Sequence, residues 1–386
     1  MKRVAPWYVI FAALGLAAAS FVLGLAMGFR QMTPSPQLQK AYVLAREAVA
    51  GTPTAAAELM ATVFNDAAVP ELLYPSARSL SGIKAFNDSI FIPVDDFPSA
   101  YRDLRVLRAS AFTLGSRRML KVEFELAGRR FEAFAYAVRT SWTPLNREDL
   151  ATLMIPGTGL NRAIATVDQT AGPDTSTALP ALSRDASDLF VFIKPNEDAL
   201  AFHSGRAKLT LDAIRNYQLN RGGSYGASYI VHSLAVTKYL QSRYAKTVVA
   251  GVSQGGTAAL LNALQSAPDL AIVASGYSAL GEQLEIANFQ LIAIPGYWDE
   301  IAPAALAAKL KAMPTRFFFS WGLQDTPLYR LDAESNYTCK RFRDISTVTC
   351  RAHPDGHAYP ISLVRSFLNS NLGTPGAESA SAATRQ

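Results

Sequence analysis

Ser253 lies in Gly251-Val252-Ser253-Gln254-Gly255, a G-x-S-x-G pentapeptide within KTVVAGVSQGGTAALL. Thr247, Val248, Val249 and Ala250 form a short apolar, mostly β-branched run, which predicts a buried strand. Thr257 to Gln265 is rich in Ala and Leu and predicts a helix. A serine at the tip of a glycine-flanked turn from strand to helix is held in a strained conformation, with its hydroxyl pushed outward. The helix N-terminus directs partial positive charge at the same point, which suits a developing oxyanion. The chemistry these residues suggest is nucleophilic attack by Ser253. Serine is a weak nucleophile unless a general base takes its proton, and a carboxylate usually orients that base.

A second pentapeptide, Gly222-Gly223-Ser224-Tyr225-Gly226, precedes a helical stretch over Ala227 to Tyr244. The residues before it, Asn216 to Arg221 (NYQLNR), are polar and predict no strand. Ser224 is therefore read as a helix cap, and Ser253 as the nucleophile.

The acid and the base are expected after later strands, in the order Ser, Asp or Glu, His. RFFFSW over Arg316 to Trp321 predicts a strand, and Gly322-Leu323-Gln324-Asp325 follows it. STVTCRA over Ser346 to Ala352 predicts the last strand, followed by His353-Pro354-Asp355-Gly356-His357. Asp325 fits the acid, with Asp332 and Asp299 in reserve farther from strand ends. His353 and His357 both compete for the base. His203 and His232 precede Ser253 in the chain and read as structural or pocket-lining residues. An oxyanion needs two N–H donors aimed at one point. One is expected from Gln254. The other is expected from Pro156-Gly157-Thr158-Gly159, at the end of the strand ATLMI (Ala151 to Ile155). Pro156 has no N–H, so Gly157 or Thr158 must donate; an ordinary tight turn is the alternative reading of that loop.

The elements that must position these residues read in two styles. From Leu104 to Val138, apolar and polar residues alternate between turns at Gly115-Ser116 and Gly128-Arg129, which predicts antiparallel strands. After them, strands at Ala151 to Ile155, Asp188 to Lys194, Thr247 to Ala250, Leu270 to Ser275, Arg316 to Trp321 and Ser346 to Ala352 alternate with helical stretches. These include Lys208 to Tyr217, Ser228 to Arg243, Pro303 to Met313 and Ile361 to Leu368. This alternation predicts an α/β fold with a mostly parallel sheet and helices on both faces.

The three loops in this order resemble the α/β-hydrolase superfamily, over about residues 100 to 370. The matching residues are GVSQGG, WGLQD after a strand, and DGH near the C-terminus. The resemblance implies an eight-stranded sheet, whose first strands read as antiparallel; no cofactor is expected. It implies Ser253 as nucleophile, Asp325 as the residue that orients the base, and His357 as the base. SQGG is reminiscent of the esterase and deacetylase branches. A serine esterase acting through an acyl-enzyme is the expected activity. A serine peptidase, or a non-hydrolytic envelope binding or assembly factor on the same fold, is the alternative.

Composition bounds the rest. The chain has 386 residues, and half of them are hydrophobic. Its formal charge of +6 comes from scattered Lys and Arg, without the basic runs that nucleic-acid binding needs. Four His and two Cys, without C-x-x-C or H-E-x-x-H spacing, argue against a protein-built metal site. Trp7 to Gly28 carries no charge and follows Lys2 and Arg3. It has the length of a membrane-spanning helix, about 20 residues, with its N-terminus inside; a signal cleaved after a small residue in Leu16–Ser20 or Leu25–Gly28 is the alternative. The expected plan is a membrane anchor over 1–30, a linker and helical extension over 31–100, and an extracytoplasmic hydrolase domain over 101–370. A tail over 371–386 follows. The helical extension holds Leu38 to Ala48 and Thr54 to Asp66. Gly276 to Pro303, with Tyr277, Phe289, Ile292, Ile294, Tyr297 and Trp298, is read as a lid or acyl pocket; that these residues are simply core is the alternative. Cys339 and Cys350 are expected to bridge in an oxidising compartment.

Overall fold

A computed structural model of the chain describes residue 73 and residues 82–139, 150–159, 161–170, 172–184, 187–197, 207–276, 294–326 and 338–372. The expected anchor, the helices at Leu38 to Ala48 and Thr54 to Asp66, His203, Asp332, residues 277–293 and the tail from 373 onward lie outside these residues. Among the described residues, no helix is long and apolar enough to cross a membrane.

Among the described residues, nine strands form one sheet. They are β1 (Arg105–Leu114), β2 (Arg117–Leu126), β3 (Arg129–Arg139), β4 (Leu150–Ile155), β5 (Ser187–Ile193), β6 (Lys246–Val252), β7 (Leu270–Ala274), β8 (Arg316–Gly322) and β9 (Val348–His353). Their order across the sheet is β1-β2-β3-β5-β4-β6-β7-β8-β9. The first three strands and the β3–β5 pair are antiparallel, and the strands from β5 to β9 are parallel. The eight strands implied by the resemblance are thus exceeded by one. The extra strand is β1, which among the described residues pairs with β2 alone and forms the sheet edge. Its alternating residues satisfy β2 on one side, and its exposed positions suit an edge facing water.

The inner parallel strands are apolar for most of their length because both of their faces are covered, whereas β9, at the other edge, keeps Arg351 exposed. Five helices of ten or more residues lie among the described elements: α1 (Ala207–Asn220), α2 (Tyr225–Arg243), α3 (Gln254–Ser266), α4 (Pro303–Ala312) and α5 (Ile361–Leu372). β8 shows how the faces divide. Phe317 and Phe319 join Leu260 of α3 and Leu306 and Leu310 of α4 in one cluster, whereas Phe318 lies in the other, with its ring 5.1 Å from Phe367 of α5. Helix Gly82–Ile90 buries Phe86 and Ile90 in the larger cluster. From the expected lid segment, Ile294 and Tyr297 are buried in that cluster too. The Tyr297 ring meets Phe97 edge-on at 4.9 Å, so this end of the segment is core.

α2 is buried along most of its length and carries His232 into the core. His232 Nδ1 donates to the Ser228 carbonyl at 2.6 Å, and its ring meets those of Phe124 and Phe131 edge-on. Burial pushes its pKa down from 6.5 to about 4. Between these two values the unfolded chain binds a proton that the folded chain refuses, so stability falls as pH falls. The expected loss from this group is about 3 kcal/mol by pH 4. Urea denaturation at pH 7 and pH 5 checks this, and His232→Gln should flatten the difference between the two.

Cys339 and Cys350 are joined, with Cα atoms 6.0 Å apart, tying the short helix Thr338–Phe342 to β9. Closing a loop of this length contributes about 3 kcal/mol. Reductant should lower the melting temperature accordingly, and an unchanged melting curve would show that packing alone holds this segment.

Candidate active site

The turn from β6 into α3 is shaped by its glycines. A Cβ on Gly251 would lie 1.9 Å from the Gly255 carbonyl oxygen, and one on Gly255 would lie 2.0 Å from the Ile155 oxygen. Strand, helix and the end of β4 therefore meet at a distance that only glycine permits. Ser253 at the tip has φ +58° and ψ −130°, a region that non-glycine residues seldom occupy. The local ladder holds this conformation. Ser253 N donates to the Ala274 oxygen at 2.9 Å, and the Ser253 oxygen accepts from Gly256 N and Thr257 N. Gln254 opens α3, where the first N–H groups have no intrahelical acceptor.

β6, β8 and β9 are parallel, so the loops after them share the carboxyl edge of the sheet, within three strand spacings of about 4.8 Å each. Asp325 follows β8 and His357 follows β9. Backbone bonds from Leu323 N to the His353 oxygen and from Gln324 N to the Asp355 oxygen tie the two loops together. His357 Nδ1 donates to Asp325 Oδ2 at 2.8 Å. Asp325 Oδ1 accepts from Thr326 N at 2.8 Å, so both carboxylate oxygens are held. The Asp325 side chain is 5% exposed and that of His357 28%: the acid is sheltered and the imidazole is open on one side.

His353, the competing histidine, is the last residue of β9 and is buried. Its nearest acid is Asp355, at 3.7 Å, and burial lowers its pKa. The structure thus brings His357, not His353, to Asp325. Ser224 caps α2, accepting from Ala227 N at 2.9 Å, as expected from its polar approach.

The loop Pro156 to Gly159 follows β4 directly. The position of a Cβ on Gly157 would lie 3.3 Å from Ser253 Cβ, which places this loop against the serine. Tyr229 of α2 donates its hydroxyl to the Pro156 oxygen at 3.3 Å, and Arg162 Nε donates to the Thr158 oxygen at 2.9 Å. Tyr229 and the buried Lys194, which also reaches this loop, carry no motif that marks them in the sequence. Both sit in runs that read as helix and strand, and only three-dimensional proximity reveals them. Among the described residues, no group of His, Cys, Asp and Glu is arranged to hold a metal ion.

The sheet order, the strained serine between β6 and α3, and the acid and histidine after β8 and β9 define an α/β-hydrolase fold. The chain resembles the serine hydrolases of that superfamily. Neither a family profile nor a curated protein sequence matches it. Solved structures do. A Mycobacterium tuberculosis puromycin-hydrolyzing peptidase shares 16% identity at a TM-score of 0.41, over 71% of this chain and 40% of its own. Acetyl xylan esterase 1 from Thermoanaerobacterium sp. JW/SL YS485 shares 12% at 0.40, over 75% of this chain and 97% of its own. The Pyrococcus horikoshii acylaminoacyl peptidase shares 9% at 0.39, over 69% of this chain and 41% of its own. The chain thus spans about two fifths of the two peptidases and nearly all of the esterase.

Proposed function

We propose that this protein is a serine hydrolase that cleaves a carboxylic ester through an acyl-enzyme on Ser253. The observation that carries the reading is the 2.8 Å His357–Asp325 bond on the sheet edge that presents Ser253. Asp325 holds the Nδ1–H tautomer of His357, which leaves Nε2 as the base. His357 takes the Ser253 proton as Oγ attacks the ester carbonyl. The Gln254 N–H, with that of Gly157 or Thr158, stabilises the oxyanion that forms. His357 then protonates the leaving alcohol, and water attacks the acyl-enzyme with His357 again as base. No metal or other cofactor is required by this sequence of steps.

The proposed substrate is an acylated saccharide or a lipid-like ester of the cell envelope. The proposed location is outside the cytoplasm, held by Trp7 to Gly28 as an anchor. The Cys339–Cys350 bridge favours an oxidising compartment. The test is a panel of short- and long-chain acyl esters, acetylated oligosaccharides and peptide amides on the full chain, with fluorophosphonate labelling. Ester turnover with labelling at Ser253 supports the reading. Turnover of the amides alone turns it into a serine peptidase. Neither turnover nor labelling would favour a non-hydrolytic binding role.

A further inference from the structure

Lys194 is the residue immediately after β5, and its side chain is 2% exposed. A lysine ammonium so deeply buried is costly unless its donors are met. Here each has a destination. Nζ donates to the Gly157 oxygen at 2.6 Å and to the Gly159 oxygen at 3.3 Å, and faces Glu197 Oε1 at 3.5 Å. Glu197 in turn accepts from Ala163 N, at the start of the short helix that follows the loop. One buried ion pair therefore grips both the loop beside Ser253 and the element that continues from it.

The four carbonyls from Pro156 to Gly159 are all engaged, by Tyr229, Lys194, Arg162 and Lys194 in turn. No peptide bond here is cis. In a trans peptide unit the C=O and the following N–H point in opposite directions within one plane. Holding the Gly157 oxygen thus sets the direction of the Thr158 N–H, and holding the Pro156 oxygen sets that of Gly157. A charge-assisted bond to the carbonyl also polarises the peptide unit, which strengthens its N–H as a donor.

We infer that Lys194 is a positioning residue for oxyanion stabilisation: its ammonium orients and polarises the Gly157–Thr158 peptide beside Ser253. The inference rests on the reading of Ser253 as nucleophile. Lys194 does not touch substrate; it acts through the backbone it holds. The contribution is made when the oxyanion forms, so its loss should fall on kcat, with KM nearly unchanged.

The test uses Lys194→Met, which keeps an unbranched side chain of similar length and removes the charge and donors. With p-nitrophenyl acetate, kcat should fall about 10²-fold, on the scale of losing one oxyanion donor, and KM should change less than about 3-fold. Affinity for a trifluoromethyl ketone, whose adduct carries the oxyanion, should fall in parallel with kcat. A merely structural lysine would not couple those two quantities. Unchanged kcat in a folded Lys194→Met protein would overturn the inference. If that variant does not fold, Glu197→Gln serves in its place. It leaves Lys194 present but less firmly held, and kcat should drop about 5- to 10-fold at constant KM; no drop overturns the inference. Wild-type protein that neither labels at Ser253 nor turns over ester would instead remove the underlying reading, and the inference with it.

Discussion

Ser253→Ala is expected to lower ester hydrolysis by about 10⁴- to 10⁶-fold and to abolish fluorophosphonate labelling. The size follows from the covalent step: without Oγ no acyl-enzyme forms, and only ground-state binding and the oxyanion donors remain to assist water. The fold should survive. Ala meets the same backbone strain at φ +58° as Ser, and the bonds that hold the turn run through the main chain of residue 253. Ser253 is the N-terminal cap residue of α3 but makes no side-chain capping bond, so its hydroxyl contributes nothing to helix stability that Ala would forfeit. Circular dichroism and melting should match wild type while kcat collapses. Retained labelling would move the nucleophile elsewhere. Ser224 is then a poor refuge, since it is 2% exposed and its hydroxyl caps α2.

The second large effect is expected from Asp325→Asn, about 10⁴-fold in kcat. The carboxylate accepts from His357 Nδ1 and so fixes the Nδ1–H tautomer, which leaves Nε2 unprotonated. An amide can turn its NH₂ toward Nδ1. That selects the opposite tautomer, with a proton already on Nε2, and the histidine cannot take another from Ser253. The imidazolium formed during attack also loses its counter-charge. Thr326 N can still bond to the side-chain oxygen of Asn, so the loop should remain in place. KM for p-nitrophenyl acetate should stay within about 3-fold of wild type. The double variant Ser253→Ala with Asp325→Asn should be no slower than Ser253→Ala alone, because the residues act as a unit. Full activity in Asp325→Asn would assign the orienting carboxylate elsewhere.

The strands and long helices were legible because their signals are local. RFFFSW, LAIVAS and KTVVAGV are apolar runs of strand length, and parallel strands covered on both faces read in that way. Nearness to a strand end ranks the acids and brings Asp325 forward; between the two histidines it was the resemblance that favoured His357. The role of β1 as an added edge was less legible. Its alternation resembles that of β2 and β3, and a count taken from the resemblance omitted it. Asp299 and Asp332 stayed in reserve for the same reason that Asp325 was preferred, their distance from a strand end.

Some of the site could not be read in this way. His353 and His357 are four positions apart and equally histidine. The selection between them came from the turn at Pro354 to Gly356, which leaves one ring buried at the end of β9 and carries the other to Asp325. Lys194 looks in sequence like the solvated end of a strand. The carbonyls it holds lie 35 to 37 positions earlier, beyond any periodicity. Side-chain alternation and glycine placement are properties of neighbouring residues, so the sequence by itself determined the elements, their α/β alternation and the strained turn at Ser253. Which loops meet, which histidine reaches the acid, and what holds the peptide beside the serine depend on strand order and on contacts across the sheet. Those are set by the burial of many residues at once, and only the tertiary structure decided them.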